Sequence, residues 1–258
     1  MIGRAARSLA LRAADAADGA LGRSDALTPP RRLSDYVGDS DFRATGAEFL
    51  GYFEELAGLE SSDRVLEIGC GIGRMARVLV PVLRPPGGYD GFDVVRTGID
   101  WCRSRYVRTP APFRFHHADL RNAAYNPAGS LAPDEYRFPF HDGAFDLVIA
   151  TSVFTHLLAG TADHYLAEAA RVLAPGGRLF TTWLLIPAGA PTPPAFARRR
   201  EVAVRDPAVP EAAVAYDEPW LRERLPAHGL TIDAITPGTW SGREGRTPQD
   251  VVIALRAR

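Results

Sequence analysis

The chain has 258 residues, of which 46% are hydrophobic, and its formal net charge at pH 7 is −1. This length allows one large hydrophobic core, and the near-neutral charge gives no electrostatic basis for wrapping nucleic acid. No apolar run approaches the roughly twenty residues of a transmembrane helix. The two cysteines, Cys70 and Cys102, have neither a disulfide-framework pattern nor a metal-binding spacing. We therefore expect a cytoplasmic protein without a metal site.

The first 30 residues are rich in alanine and arginine and lack the apolar core of a signal peptide. We interpret residues 1–30 as a leader that precedes one domain at residues 31–258. A surface helix that lies against lipid is the alternative for this leader. Apolar residues between positions 36 and 58 fall on one helical face, which predicts a helix just before the first strand.

Residues 65–74 predict a strand, a glycine turn and a helix in succession. The stretch begins as a short apolar run of the kind that forms a buried strand, and apolar residues with helical spacing follow it. Between them stand three glycines at alternating positions, which permit positive φ and let a ligand lie against the main chain. The amides of such a turn favour an anionic or electron-rich group. The glycines are Gly69, Gly71 and Gly73.

An acidic residue, Glu67, precedes the first of these glycines by two positions. The dinucleotide fingerprint Gly-x-Gly-x-x-Gly would need a glycine where Arg74 stands. The run Glu-x-Gly-x-Gly-x-Gly instead resembles motif I of the class I S-adenosylmethionine-dependent methyltransferases, here of the bacterial small-molecule type. The run RVLAPGGRLF at residues 171–180 resembles the helix, glycine turn and fifth strand of the same family. The resemblance implies that S-adenosylmethionine is the cofactor and that Glu67, the three glycines and Cys70 bind it.

Further cofactor contacts are expected at the ends of the next strands. A carboxylate such as Asp93, at the end of the predicted second strand, can accept hydrogen bonds from both ribose hydroxyls, with Val94 against the adenine. A capping or surface aspartate is the alternative. The resemblance implies that Asp119, at the end of the predicted third strand, contacts the adenine amino group, with Leu120 beside it.

Two more residues are candidate cofactor contacts. Thr151 follows the strongly apolar strand predicted at residues 145–150, and open α/β sheets bind ligands at the carboxyl ends of their strands. Arg43, on the predicted helix before the first strand, is a candidate partner for the cofactor carboxylate. A solvated arginine is the alternative for Arg43.

His156, on the turn after the fourth strand, is the candidate general base. An imidazole with an ordinary pKa of about 6.5 is available in its neutral form at cell pH, although a packed or capping histidine is the alternative. Tyr125, Phe154 and His164 are the candidate acceptor-binding residues. Two long segments, at about residues 121–143 and 187–217, are predicted as insertions on the active face.

The alternation of strands and helices predicts an α/β fold, and the resemblance implies a Rossmann-like, seven-stranded, mostly parallel sheet. The expected last strand is antiparallel, and helices are expected on both faces. No Asn-Pro-Pro-Tyr-like turn and no cysteine follow the fourth strand, which disfavours transfer to amino-adenine or to a pyrimidine carbon. We therefore expect methyl transfer to a small-molecule acceptor, on a hydroxyl of a sugar or natural product. Alternatives are N- or C-methyl transfer, an NAD(P)-dependent oxidoreductase and a non-catalytic cofactor-binding protein; a homodimer is left open.

Overall fold

A computed structural model describes residues 25–34, 41–123 and 125–258, together with residues 11, 13, 15 and 17. Most of the predicted leader therefore lies outside the described residues. Within the described part of the chain, no helix has both the length and the apolar character that crossing a bilayer requires.

The described residues form a central sheet, a smaller sheet and six α-helices. The strands are β1 (Arg64–Ile68), β2 (Gly88–Asp93), β3 (Phe113–His117), β4 (Phe145–Ala150), β5 (Leu173–Trp183), β6 (Leu185–Ile186), β7 (Ala197–Arg199), β8 (Val202–Val204), β9 (Val214–Asp217), β10 (Leu230–Thr236) and β11 (Asp250–Arg256). The helices are α1 (Arg31–Ser34), α2 (Phe42–Ala57), α3 (Arg74–Leu79), α4 (Arg96–Arg105), α5 (Ala159–Val172) and α6 (Glu218–Ala227), and short 3₁₀ helices occupy Pro133–Glu135, Phe154–His156 and Pro210–Ala212.

The central sheet has seven strands in the order β10-β11-β5-β4-β1-β2-β3. The strands from β1 to β5 pair in parallel, whereas β11 pairs antiparallel with both β5 and β10. This arrangement confirms the predicted fold class, including the antiparallel last strand.

Helices cover both faces of this sheet because its central strands are apolar on both sides. On one face, Val65 of β1 packs with residues of α2, α3 and α4 such as Phe53 and Leu79. On the other face, Leu66 packs with residues of α5 and α6, including Leu166. Successive side chains of one strand thus enter two separate cores.

The glycine turn between β1 and α3 adopts the backbone that its sequence predicts. Gly69, Gly71 and Gly73 have φ values of 71°, 55° and 81°, a region that side chains with a Cβ rarely enter. The helix that follows ends at Leu79, before the predicted apolar stripe is complete. Pro81 explains this early end because proline has no amide hydrogen to continue the helix.

The segment predicted as an insertion at residues 187–217 is an ordered element. Its strands β7, β8 and β9 join β6 in a four-stranded sheet of order β6-β9-β8-β7, and Val202, Ala203 and Val204 of β8 are buried. The hydroxyl of Tyr216 on β9 donates to the Leu157 carbonyl at 2.6 Å. The insertion is therefore attached to the turn that follows β4.

Candidate active site

A cavity of about 750 Å³ opens at the carboxyl ends of the parallel strands. The glycine turn, the ends of β2 and β4, helix α2 and both insertions contribute to its wall. It brings together most of the residues that the sequence predicts as functional, namely Glu67, Gly69, Cys70, Gly71, Asp93, Val94, Leu120, Tyr125, Thr151 and His156.

Asp93 joins the end of β2 to the glycine turn. Its Oδ2 accepts a hydrogen bond from the Gly71 amide at 2.8 Å, and its Oδ1 accepts one from the Val95 amide at 2.8 Å. Burial raises the pKa of Asp93, although the Val95 and Gly71 amides favour its carboxylate form. Each oxygen keeps a further lone pair, so the fixed carboxyl group could accept the two hydroxyls of a ribose.

Glu67 lies at the end of β1, under the glycine turn. It is 2% exposed, and the Tyr89 hydroxyl donates to its Oε2. Burial raises the pKa of Glu67 to about 8. A Cβ at Gly91 would lie 2.5 Å from the Tyr89 hydroxyl, so this glycine makes room for the tyrosine. No motif in the sequence indicates Tyr89 as the partner of Glu67.

His156 lies half-buried on the cavity wall. Its Nδ1 is 2.9 Å from the carbonyl oxygen of Glu211. Because a carbonyl oxygen only accepts, Nδ1 carries the hydrogen and Nε2 keeps its lone pair. Burial lowers the pKa of His156, and the nearby charge of Arg205 adds to the effect. The side chain is thus a neutral imidazole whose second nitrogen could accept a proton.

Two predicted acceptor-binding residues do not line the cavity. Phe154 is fully buried, and its ring stacks on Trp183 with the centroids 4.2 Å apart. His164 lies on α5, where its Nε2 is 2.9 Å from the Tyr136 carbonyl oxygen. We therefore assign Phe154 to the core and His164 to holding the segment before β4.

Three predicted cofactor residues also lie outside the lining. Asp119 is half-buried beyond the end of β3 and accepts hydrogen bonds from Ser130 Oγ at 2.7 Å and Asn126 Nδ2 at 3.1 Å. It organises the loop at residues 121–131 without lining the cavity itself. Arg43 is exposed on α2, and Gly73 caps α3.

Helix α2 contributes other residues in place of Arg43, and the start of α3 contributes two more. The lining from these two elements consists of Thr45, Glu48, Phe49, Arg74 and Met75.

A polar network that the sequence does not indicate completes the wall at β4, β5 and β11. Ser152 has a φ of 57°, and its amide donates to Thr182 Oγ1 at 2.7 Å. The Thr182 hydroxyl and the Ser152 hydroxyl donate to Gln249 Oε1 at 2.6 and 3.2 Å. The oxygen of the Gln249 carboxamide is thus used within the protein, which leaves its nitrogen for a ligand. These residues come from distant positions in the chain, without a shared motif.

The fold, the glycine turn and the acidic residues of the cavity define a class of enzyme. Residues 66–181 match the family model described as a methyltransferase domain. The chain carries a class I S-adenosylmethionine-dependent methyltransferase domain, as its sequence predicts, and S-adenosylmethionine is the cofactor of this domain.

Curated relatives are similar over about half of this chain. A fatty-acid O-methyltransferase of Mycolicibacterium smegmatis is 35% identical over 119 residues, which are 46% of this chain and 36% of the relative. A 27-O-demethylrifamycin SV methyltransferase of Amycolatopsis mediterranei is 33% identical over 153 residues, which are 58% of this chain and 50% of the relative. The similarity therefore spans half or less of the length of each relative.

Solved structures extend the fold likeness to the whole chain. The 1,6-didemethyltoxoflavin-N1-methyltransferase of Burkholderia thailandensis, with its substrate and S-adenosylhomocysteine bound, has a TM-score of 0.53 and is 15% identical. The superposition covers 100% of this chain and 92% of that chain. At this level of identity, the likeness concerns the fold alone.

Proposed function

We propose that the protein transfers the methyl group of S-adenosylmethionine to a hydroxyl oxygen of a small molecule, with His156 as the general base. The observation that carries this proposal is the hydrogen bond of His156 Nδ1–H to the Glu211 carbonyl. It leaves the lone pair of Nε2 as a proton acceptor on a side chain that lines the cavity. Bound S-adenosylmethionine would supply the methyl group, and Nε2 of His156 would accept the hydroxyl proton as the acceptor oxygen is methylated.

The chemistry of the cofactor determines how much alignment and the general base each contribute to the rate. Its methyl group is already activated, so alignment of acceptor and donor supplies on the order of 7–11 kcal/mol. The general base raises the rate by a further factor of about 10²–10⁴. The proposed cofactor-binding residues are those of the predicted set that line the cavity, with Asp93 on the ribose: Glu67, Gly69, Cys70, Gly71, Asp93, Val94, Leu120 and Thr151.

Exposed apolar side chains on the two insertions support an acceptor with an apolar body. Among the described residues, the exposed large hydrophobic side chains are Val107, Tyr125, Leu131 and Val209. Tyr125 lines the cavity, and Leu131 and Val209 lie on the two insertions that contribute to its wall. The relatives named as a fatty-acid O-methyltransferase and as a 27-O-demethylrifamycin SV methyltransferase also support an oxygen atom on a largely apolar molecule.

The test measures methyl transfer from labelled S-adenosylmethionine to a panel of hydroxylated fatty acids, polyketides and sugars. His156→Gln is expected to lower kcat about 10²–10⁴-fold and to leave the affinity for S-adenosylhomocysteine within a few-fold. His164→Gln, outside the cavity, is the matched control and is expected to keep its activity.

Two outcomes would contradict the proposal. If the kcat of His156→Gln stays within a few-fold of the parent, His156 is not the general base. That result is expected for a carboxylate acceptor, which needs no deprotonation. Binding of S-adenosylmethionine without methyl release to any acceptor of the panel would favour the non-catalytic alternative.

A further inference from the structure

Glu211 contacts both the candidate base and the other insertion. It lies on the 3₁₀ helix Pro210–Ala212, between β8 and β9. Its backbone carbonyl oxygen is 2.9 Å from His156 Nδ1, and its side-chain Oε2 accepts a hydrogen bond from the Ala123 amide at 3.0 Å. One residue therefore connects the turn after β4 with both insertions.

The Glu211–Ala123 bond also affects His156 indirectly, because Ala123 and Tyr125 lie on the same loop and Tyr125 contacts the imidazole. The loop around Ala123 is closed by the Asn122 and Asn126 amides, each of which donates to the other's carbonyl at 3.0 Å. The Tyr125 ring stands edge-on to the imidazole, with centroids 5.8 Å apart and an interplanar angle of 88°. The Glu211 side chain thus holds the loop that packs against one side of the base.

The 3₁₀ helix itself rests on the small sheet. The Arg205 amide donates to the Ala213 carbonyl at 3.0 Å, and Val204 pairs with Val214 in the β8–β9 register. These bonds fix the two ends of the segment at residues 205–213. Between these ends, the Ala212 amide donates to the Val209 carbonyl at 2.9 Å and closes the 3₁₀ turn that contains Glu211. The Glu211–Ala123 bond ties this turn to the loop around Ala123, and so fixes where the Glu211 carbonyl stands relative to His156.

We propose that Glu211 is a positioning residue, whose side-chain bond to the Ala123 amide places its own carbonyl to hold His156 as the Nδ1–H tautomer. This inference rests on the proposed function for its catalytic meaning. The hydrogen bond at one imidazole nitrogen determines which nitrogen carries the proton, so a displaced carbonyl would release the Nε2–H form. That form has no lone pair at Nε2 to accept the proton of an acceptor.

The test is a long-range ¹H–¹⁵N correlation spectrum of histidine-labelled protein saturated with S-adenosylhomocysteine. The chain has six histidines, and the signals of His156 are assigned as those that disappear in the spectrum of His156→Gln. The wild type is expected to show His156 in the Nδ1–H form. Glu211→Gln keeps an oxygen for the Ala123 amide and is expected to keep this tautomer, whereas Glu211→Ala is expected to show the Nε2–H form.

Activity provides the second readout. Glu211→Ala is expected to lower kcat about 10²-fold, the scale of a misplaced catalytic group, with little change in KM for S-adenosylmethionine, and Glu211→Gln to restore most of it. Glu223→Ala, which removes an exposed glutamate of α6 that contacts Arg224, is the control for loss of a surface charge.

Several results would overturn the inference. They are the Nε2–H tautomer in the wild type, an unchanged tautomer in Glu211→Ala, or the loss of the Nδ1–H form in Glu211→Gln. If the tautomer depends on Glu211 while His156→Gln stays active, the positioning role stands and the general-base proposal fails. Because the wild-type and Glu211→Gln spectra are informative alone, the test does not depend on the folding of Glu211→Ala.

Discussion

The amide nitrogen of Gly71 lies 2.8 Å from Oδ2 of Asp93. The glycine turn after β1 and the end of β2 are thus joined directly, across the edge of the sheet where the cavity opens. A carboxyl group held in this way is fixed in orientation before a ligand arrives, which reduces the cost of binding.

Asp93→Asn is expected to weaken binding of S-adenosylhomocysteine about ten- to hundredfold. The neutral amide keeps one acceptor oxygen but loses charge-assisted hydrogen bonds, which contribute about 1.5–3 kcal/mol each. Isothermal titration calorimetry measures the difference. Asp119→Asn is the matched control, because Asp119 does not line the cavity and bonds to Ser130 and Asn126. The affinity of this variant for S-adenosylhomocysteine is expected within twofold of the parent. If Asp119→Asn weakened binding more than Asp93→Asn, Asp119 and not Asp93 would be the cofactor-binding carboxylate.

Gly69→Ala is expected to destabilise the protein by about 1–3 kcal/mol. Gly69 has a φ of 71°, and a Cβ there would lie 2.5 Å from Val153 Cγ2. Urea denaturation measures the change. Gly51→Ala is the control: it lies inside helix α2 with nothing within 4 Å of its added Cβ, and it is expected to stabilise the protein by about 0.5–1 kcal/mol. If the two substitutions changed the free energy of unfolding equally, the positive φ and the close contact at Gly69 would not limit which residue the turn accepts.

The raised pKa of Glu67 predicts a pH dependence of stability. Its ordinary value of 4.5 rises to about 8 in the folded protein, so the folded state binds a proton that the unfolded state releases. The free energy of unfolding is therefore expected to fall as pH rises from about 4.5 to about 8, by up to about 1.4 kcal/mol per pH unit from this group.

Glu67→Gln isolates this contribution. The difference in free energy of unfolding between the variant and the wild type is expected to grow in favour of the variant from pH 5 to pH 8, because the other titrating groups cancel. Denaturant titrations at intervals of one pH unit provide the measurement. A difference that stays constant over this range would mean that Glu67 is ionised throughout in the folded protein.

The parts of the site that could be predicted from sequence are local. Glu67 and Gly69 lie within one strand–turn segment, and Asp93 ends the next strand, so a short window specifies their placement. The general position of His156 follows for the same reason, because it stands on the turn after β4. The fold itself was predictable since strand and helix periodicities alternate clearly along the chain.

The remaining parts depend on contacts between distant segments. Glu211 and Gln249 reach the cavity from an insertion and from the start of the last strand, and no local pattern indicates where such segments return. Asp119 shows the related limit at an element end. The sequence suggests a strand up to Asp119, but β3 ends at His117, and the side chain beyond it bonds within its own loop.

Thr182→Val tests the polar network that the sequence did not indicate. The substitution keeps the shape of the side chain but removes the acceptor of the Ser152 amide and the donor to Gln249 Oε1. Thr182 is 1% exposed, so the unmatched groups are expected to cost about 1–3 kcal/mol of stability. Since the amide bond supports the positive φ of Ser152 at the cavity wall, affinity for S-adenosylhomocysteine is expected to fall about tenfold.

The double variant Thr182→Val/Ser152→Gly separates backbone strain from loss of the hydrogen bonds. Glycine adopts positive φ without strain, so the second substitution is expected to recover most of the lost affinity while the stability stays low. Ser152→Gly alone is the control and is expected to bind S-adenosylhomocysteine as the parent does. If the double variant binds no better than Thr182→Val, the hydroxyl of Thr182 affects the ligand by a route other than the conformation of Ser152.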